Sequence, residues 1–349
     1  MEILGVKFAP LNISSERRLQ TLVVAIWVLV SGFGDFWGYI LTAYLLLYTQ
    51  TLRYFMLLYF LWMYYDWNTC DRGGRSYSWI SRMRNNVFWR YFCNYFPLKL
   101  VKTVDLDPKK SYLFISVPHG ILSMGIIGSF ATDAMGCSKL FPGLDMRIIA
   151  LDQHLKVPLF REYAYFLGCC AANAKSIEYL LSTPAKSPHT GRATILIVGG
   201  TFETMESLPG TYRTIVKKRK GFVKLALKHG TPLVPVLSFG ETDLYNQVYS
   251  PKGSTLRRIQ DYIRNIAGLP PVIFWGRGFF QYSFGLIPNR LPVTVVVGSP
   301  LELPKIEKPT AEQIDEYHKK FVEHLIEFFE TQKYNYIKNA EKTTLETDL

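Results

Sequence analysis

The chain has 349 residues and a net charge of +12, with 48% hydrophobic and 15% aromatic residues. That length buries a sizeable core and that composition excludes a disordered chain, while the basic balance calls for an anionic partner: a membrane surface, a polyphosphate or a nucleic acid. Cys70, Cys93, Cys137, Cys169 and Cys170 lack the paired spacing of a zinc site, and their odd number fits a reducing compartment, so neither a metal centre nor a disulfide framework is expected.

Arg17 and Arg18 precede an apolar stretch running from Leu19 to Trp67, in which Asp35 and Arg53 are the only charges before Asp66. The stretch is more than twice the ~20 residues that cross a bilayer once, and about what a tight two-pass hairpin uses. Arg72, Arg75, Arg82, Arg84 and Arg90 follow it, so both basic flanks are expected to stay cytosolic. Residues 1–18 therefore read as a cytosolic N-terminus and residues 19–67 as a transmembrane helical hairpin. Its turn falls either at Gly32, Gly34, Asp35 and Gly38 or at Thr49 to Arg53, and the residues leave both open. The run is too long for a signal-peptide core. The sequon Asn12-Ile13-Ser14 goes unused on a cytosolic terminus.

Residues 68–104 are basic and aromatic, a membrane-proximal connection whose Trp79, Trp89, Tyr91 and Phe92 suit headgroup level. Beyond it, Ile/Val-rich runs at Tyr112–Val117, Arg147–Leu151, Thr194–Val198, Leu233–Leu237 and Val293–Val297 read as buried strands. Helix-length pieces at Ile121–Ala134, Ala174–Ser182 and Gly221–His229 lie between them. The alternation predicts an α/β domain over residues 105–335, with a mostly parallel sheet flanked by helices. Its last helix opens at Thr310 with a Gln313 capping box and carries Ile314, Tyr317, Phe321, Leu325 and Phe328 on one face. Residues 336–349 read as a frayed polar tail.

The segment YLFISVPHG ends a buried strand with His119 and Gly120, immediately before a predicted helix. A hydroxyl is a weak nucleophile at neutral pH, and a histidine titrating near ~6.5 is suited to take its proton. The N–H groups of the following helix would then face any developing oxyanion, with Gly120 among the backbone supports and the imidazole at the mouth of an apolar cavity. Of the other histidines, only His154 in LDQHLKVP is a rival. His189 sits in a Ser/Pro loop, His229 precedes a helix-capping glycine, and His318 and His324 share the last helix six residues apart.

A second constellation, VGGTFE, follows the strand Thr194–Val198. Gly199 and Gly200 let backbone approach a ligand, and Glu203 either orients His119 or binds an acceptor's hydroxyls; a tight turn with a surface glutamate weighs equally. The third is Lys217, Lys218, Arg219 and Lys220 before GFVKLALKHG, a solvated face or, with Lys224 and Lys228 on later turns, a phosphate site. These cations are not interleaved with a reading motif, so no nucleic acid is expected. Cys169 and Cys170 have an apolar setting and read as inert thiols.

At these residues the sequence resembles the diacylglycerol acyltransferase type 2 family, which includes monoacylglycerol and wax-ester-forming enzymes. The resemblance runs from about Phe8 to about Lys333, through FAPL with ERRLQT, DWN, YFP with LVKT, PHG, FPG, REY, VGG with Glu203, RKGFVKLALKHG, LVPVLSFGE, GRG and FGLIP. FAPL…ERRLQT and QYSFGLIP look most like the monoacylglycerol branch. It implies a glycerolipid-acyltransferase-like fold and a multi-pass protein of the endoplasmic reticulum membrane or lipid droplet, its catalytic domain cytosolic. It also implies acyl transfer from acyl-CoA to a neutral glycerolipid, diacylglycerol first, with monoacylglycerol or a long-chain alcohol as alternatives. Acyl-CoA is then a substrate, no cofactor or metal is expected, and homo-oligomerisation is left open. His119 and Glu203 match the catalytic positions, Gly120, Gly199 and Gly200 the backbone support, and Arg219, Lys220 and Lys224 gain weight as CoA-phosphate ligands. The family usually reads His-Pro-His-Gly, and here Val117 stands in place of the first histidine. Should that histidine carry the proton transfer, this chain would be a non-catalytic membrane protein of the same fold; retention of Pro118, His119 and Gly120 favours activity.

Overall fold

The computed structural model describes residues 2–10, 12–269 and 271–347, so Met1 and Leu11 of the N-terminal segment and Asp348 and Leu349 of the tail lie outside the described residues. Seven strands form the main sheet: β1 (Lys99–Lys102), β2 (Ser111–Val117), β3 (Leu144–Ala150), β4 (Cys169–Ala171), β5 (Gly191–Ile197), β6 (Leu233–Phe239) and β7 (Thr294–Val297). Their spatial order is β1-β7-β6-β2-β5-β3-β4. Five of the strands, β6 through β4 in that order, run parallel; β7 pairs antiparallel with β6 and carries β1 alongside in its own direction. The sheet is therefore mixed, with a parallel block of five strands and an antiparallel step between β6 and β7.

Strands covered on both faces must be apolar throughout, and Leu113, Phe114 and Ile115 of β2 are fully buried. Each such side chain contributes about 1.5–3 kcal/mol of burial. Alternation divides them between two cores. Tyr112 and Phe114 join a cluster with Val24, Trp27 and Phe92, whereas Leu113, Ile115 and Val117 join one with Leu180, Ala226, Phe321 and Phe329. The second layer consists of α5 (Ala174–Ser182), α7 (Gly221–His229) and α9 (Ala311–Tyr336); the first includes α1 (Ser15–Trp27) and α4 (Val87–Tyr95). α9 opens with the expected capping box at Thr310 and Gln313.

The apolar N-terminal stretch is not a simple hairpin. α1, prolonged by the π turn Val28–Gly32, docks on α4 with the Trp27 and Phe92 rings 5.1 Å apart. α2 (Gly34–Tyr48) and α3 (Leu52–Tyr65) follow, so both candidate turns are real breaks. Among the described residues no single helix is long and apolar enough to cross a membrane; Ser15–Gly32 and Gly34–Tyr48 qualify only as a pair bent by 74°. Fifteen and fourteen residues give α2 and α3 lengths of about 22 and 21 Å, short of a ~30 Å hydrocarbon core. Both leave large side chains outward, among them Trp37, Leu47, Tyr48, Leu58, Leu61 and Tyr64.

Two further segments differ from expectation. Residues 68–104 are not merely a connection, because α4 contributes the buried Trp89, Phe92 and Tyr95 and β1 is an edge strand. The tail is not frayed either: Leu345 and Glu346 pair parallel with Tyr212 and Arg213, and Leu345 is buried.

Candidate active site

Three adjacent parallel strands, β5, β2 and β6, end side by side and release three loops at their C-terminal edge. β2 delivers His119, β5 delivers Gly199, Gly200 and Glu203, and β6 delivers Glu241. Ligand sites of α/β sheets gather at this edge.

His119 is 4% exposed, so the ring is enclosed rather than set at an open cavity mouth as expected. Its Nε2 lies 2.7 Å from the carbonyl oxygen of Gly200. A carbonyl can only accept, so Nε2 carries the proton and the basic lone pair belongs to Nδ1. Nδ1 has the Ser123 hydroxyl as a long neighbour at 3.3 Å. Burial, opposed by the Gly200 carbonyl, lowers the pKa of His119 and keeps the ring neutral near pH 7.

Glu203 opens the short helix α6 (Thr201–Glu206) and is buried, its Oε2 3.9 Å from His119 Nε2. Oε1 accepts a short hydrogen bond from Thr214 Oγ1. Burial raises the Glu203 pKa to about 7, with the Thr214 bond working against it. Of the two readings, the buried carboxylate beside His119 is what the fold gives, and the surface glutamate is not. Both preceding glycines are needed: a Cβ on Gly199 would lie 1.8 Å from Glu203 Cδ, and Gly200 adopts φ +52 to turn its carbonyl to His119. The C-terminal tail supports this arrangement from behind, since Thr214 N–H donates to the Glu346 carbonyl at 2.8 Å.

The helix expected over Ile121–Ala134 is shorter and broken, comprising Met124–Ile126 and a π turn to Ala131. Its leading amides do not face open space as oxyanion donors: Met124 N and Gly125 N each donate to a Glu241 carboxylate oxygen at 2.7 Å. Glu241 is buried, and burial lifts its pKa to about 7 against those two bonds. Sequence reading missed it. LVPVLSFGE ends a strand with Gly-Glu much as VGGTFE follows one, and that parallel was the available signal. Gly120 adopts φ +64 beside the same residue, where a Cβ would meet Glu241 Cγ at 2.9 Å.

Val117, where the resemblance expects a histidine, is fully buried in the apolar cluster with Leu113 and Ile115. The rival His154 is taken by α2, with Nδ1 2.7 Å from Asp35 Oδ2. His318 and His324 donate to the Val216 and Ser299 carbonyls, and His229 faces Glu178. Cys93, Cys137, Cys169 and Cys170 are buried thiols whose pKa burial pushes up to about 12.

The basic run divides. Arg219 holds its guanidinium 5.4 Å from the Phe202 ring centroid on α6, while Lys220 pairs with Asp315 at 2.6 Å. Lys224 borders a cavity of about 660 Å³ with Asn173, Leu196, Phe222 and Lys228, on the α5–α7 side of the sheet. Lys228 is paired with Glu178.

A family model described as diacylglycerol acyltransferase matches residues 44–346. A bovine 2-acylglycerol O-acyltransferase 1 is 41% identical over 95% of this chain and 96% of its own length. Diacylglycerol O-acyltransferase 2 of Dictyostelium discoideum is 39% identical over 94% of this chain and 96% of its own. Bovine diacylglycerol O-acyltransferase 2 is 40% identical over 91% of this chain and 86% of its own.

Proposed function

The chain belongs to the diacylglycerol acyltransferase family, and from that premise we propose that it transfers a fatty acyl group from acyl-CoA to the free hydroxyl of a neutral glycerolipid. Diacylglycerol is the leading acceptor, giving triacylglycerol. Monoacylglycerol is the second, favoured by the relative named for 2-acylglycerol.

One observation carries the mechanism: the Gly200 carbonyl holds the His119 proton on Nε2, which leaves Nδ1 to act as base. An acceptor hydroxyl reaches Nδ1 when the Ser123 side chain swings aside. Its proton passes to Nδ1 as its oxygen attacks the thioester carbonyl; the C–S bond then breaks and the CoA thiolate recovers the proton from His119. The ring is cationic in between, and Glu203, 3.9 Å from Nε2, stabilises that charge when ionised. Gly120, Gly199 and Gly200 shape the loops that bring the backbone close. Arg219 lies towards α6 and Lys224 lines the cavity, so these two cations suit the CoA phosphates. Lys220 takes part only by releasing Asp315. The step as written needs no metal or bound cofactor.

The outward aromatic and aliphatic side chains of α2 and α3 support a membrane anchor, read here as lying in the endoplasmic reticulum bilayer or on a lipid droplet. Two helices too short to cross singly suit a hairpin that dips into one leaflet as well as a bent span. The test of activity is to incubate membranes containing the protein with labelled oleoyl-CoA and diacylglycerol, monoacylglycerol or hexadecanol in turn. Labelled triacylglycerol is expected, and the absence of labelled product in all three arms would overturn the reading.

A further inference from the structure

The helix α8 (Thr255–Ala267) has its two faces reversed relative to an ordinary surface helix. Arg257, Gln260 and Arg264 recur at helical spacing on the side turned to the protein. Arg257 is bonded to Glu206 at 2.7 Å, and Arg264 lies 3.7 Å from the Phe202 ring centroid, both partners being on α6. Gln260 accepts from Ser250 Oγ and donates to the Pro271 carbonyl. The other side carries Ile259, Tyr262, Ile263 and Ile266 at i, i+3, i+4 and i+7, and Tyr262 and Ile266 are 69% and 70% exposed. The segments tied to Gln260 add Tyr249 and Ile273, both exposed.

A soluble surface does not leave such a stripe uncovered. Its occupant is indicated by what adjoins it. Gly268, which ends α8, packs against the Gln153 side chain, and the next residue, His154, is bonded to Asp35 on α2. The C-terminal end of α8 thus lies close to the first turn of α2, whose outward side chains are apolar. Tyr262 and Tyr249 bring amphipathic rings, and Arg258 stands exposed on the flank of the stripe, the composition of a helix lying in the headgroup region.

We propose that α8 is an in-plane membrane-docking helix, and that through Arg257–Glu206 and Arg264–Phe202 it holds α6, with Glu203, against the lipid surface from which the acceptor comes. The inference rests on the reading of α2 and α3 as the anchor, and the experiment separates the two. Full-length protein carrying Ile263→Cys on α8, Leu58→Cys on α3 or Lys319→Cys on the outer side of α9 is labelled with an environment-sensitive fluorophore; the native cysteines are buried. Each is reconstituted into phosphatidylcholine vesicles containing diacylglycerol, with or without brominated phosphatidylcholine. The probes at 58 and 263 are expected to emit at shorter wavelength and be quenched by bromine, and the probe at 319 is not. Quenching at 58 without quenching at 263 overturns the α8 proposal alone, and no quenching at 58 overturns the anchor. A blue-shifted but unquenched probe at 263 assigns the stripe to a protein partner, a second copy included, and also overturns the proposal. As a second readout, Ile259→Asp with Ile266→Asp is expected to raise KM for diacylglycerol in vesicles at least tenfold while kcat and the detergent melting temperature hold. Unchanged KM contradicts it.

Discussion

His119 Nε2 lies 2.7 Å from the Gly200 carbonyl oxygen, and that one contact decides which end of the ring can be basic. It depends on a glycine at 200, because φ +52 turns the carbonyl inward where other residues would be strained by ~1–3 kcal/mol. A backbone oxygen cannot change its protonation state, so the tautomer is held at every pH at which the ring is neutral.

In the proposed mechanism the carboxyl of Glu203 sets the pH dependence. Its pKa of about 7 means that it is largely protonated at pH 6 and ionised at pH 8, while burial lowers the His119 pKa below its ordinary value. Turnover is therefore expected to rise with pH through a limb near 7, and Glu203→Gln is expected to lower kcat and remove the limb. A pH–rate profile of both proteins checks this; an unchanged limb in the variant would assign it to another group.

The Ser123 hydroxyl lies 3.3 Å from Nδ1, where the proposed mechanism places the acceptor hydroxyl. Ser123→Ala should leave kcat within about threefold and lower KM for the acceptor, since a neutral hydrogen bond of this kind contributes only ~0.5–1.5 kcal/mol. A loss of two orders of magnitude in kcat would instead make Ser123 a proton relay.

Glu241 joins the β6 loop to the segment after His119 by accepting two amide N–H groups. Glu241→Ala leaves both donors buried and unpaired, at about 1–3 kcal/mol each, whereas Glu241→Gln keeps one acceptor. Thermal melting should fall more for alanine than for glutamine, with kcat reduced and acyl-CoA KM little changed in both. The two buried carboxyls share a further consequence. Each titrates at about 7 when folded against ~4.3 when unfolded, so the folded chain holds more protons between those values and their contribution to stability declines as pH rises through that window. The melting temperature of Glu203→Gln/Glu241→Gln should fall less from pH 5 to pH 8 than that of the unaltered protein; equal slopes would contradict the assignment.

Local signals carried much of this architecture. The β2, β5 and β6 runs are apolar because both sheet faces are covered, α5 and α9 start at the capping side chains of Asn173 and Thr310, and α7 stops at Gly230. What was not legible depends on distant partners. β1 and β4 are four and three residues long, too short for a period to show, and acquire their structure from β7 and β3. The tail residues Leu345 and Glu346 are ordered by Tyr212 and Arg213, more than a hundred residues earlier. Glu203 could be singled out because two glycines precede it, but nothing local indicated that Glu241 would take the amides proposed for the oxyanion. The α8 stripe was present at helical spacing, yet its outward direction is set by Arg257 and Arg264 reaching α6. The apolar character of α2 and α3 was legible as composition, and the 74° bend at Phe33 was not.

The central claim is that the neutral His119 ring takes the acceptor's proton. The direct measurement is acyl-CoA-dependent triacylglycerol synthesis by membranes containing equal amounts of the unaltered protein and His119→Ala, with acyl-CoA binding measured alongside. Loss of a general base costs about 10²–10⁴ in rate, so synthesis should drop at least a hundredfold while binding persists. Full activity in the alanine variant would contradict the account.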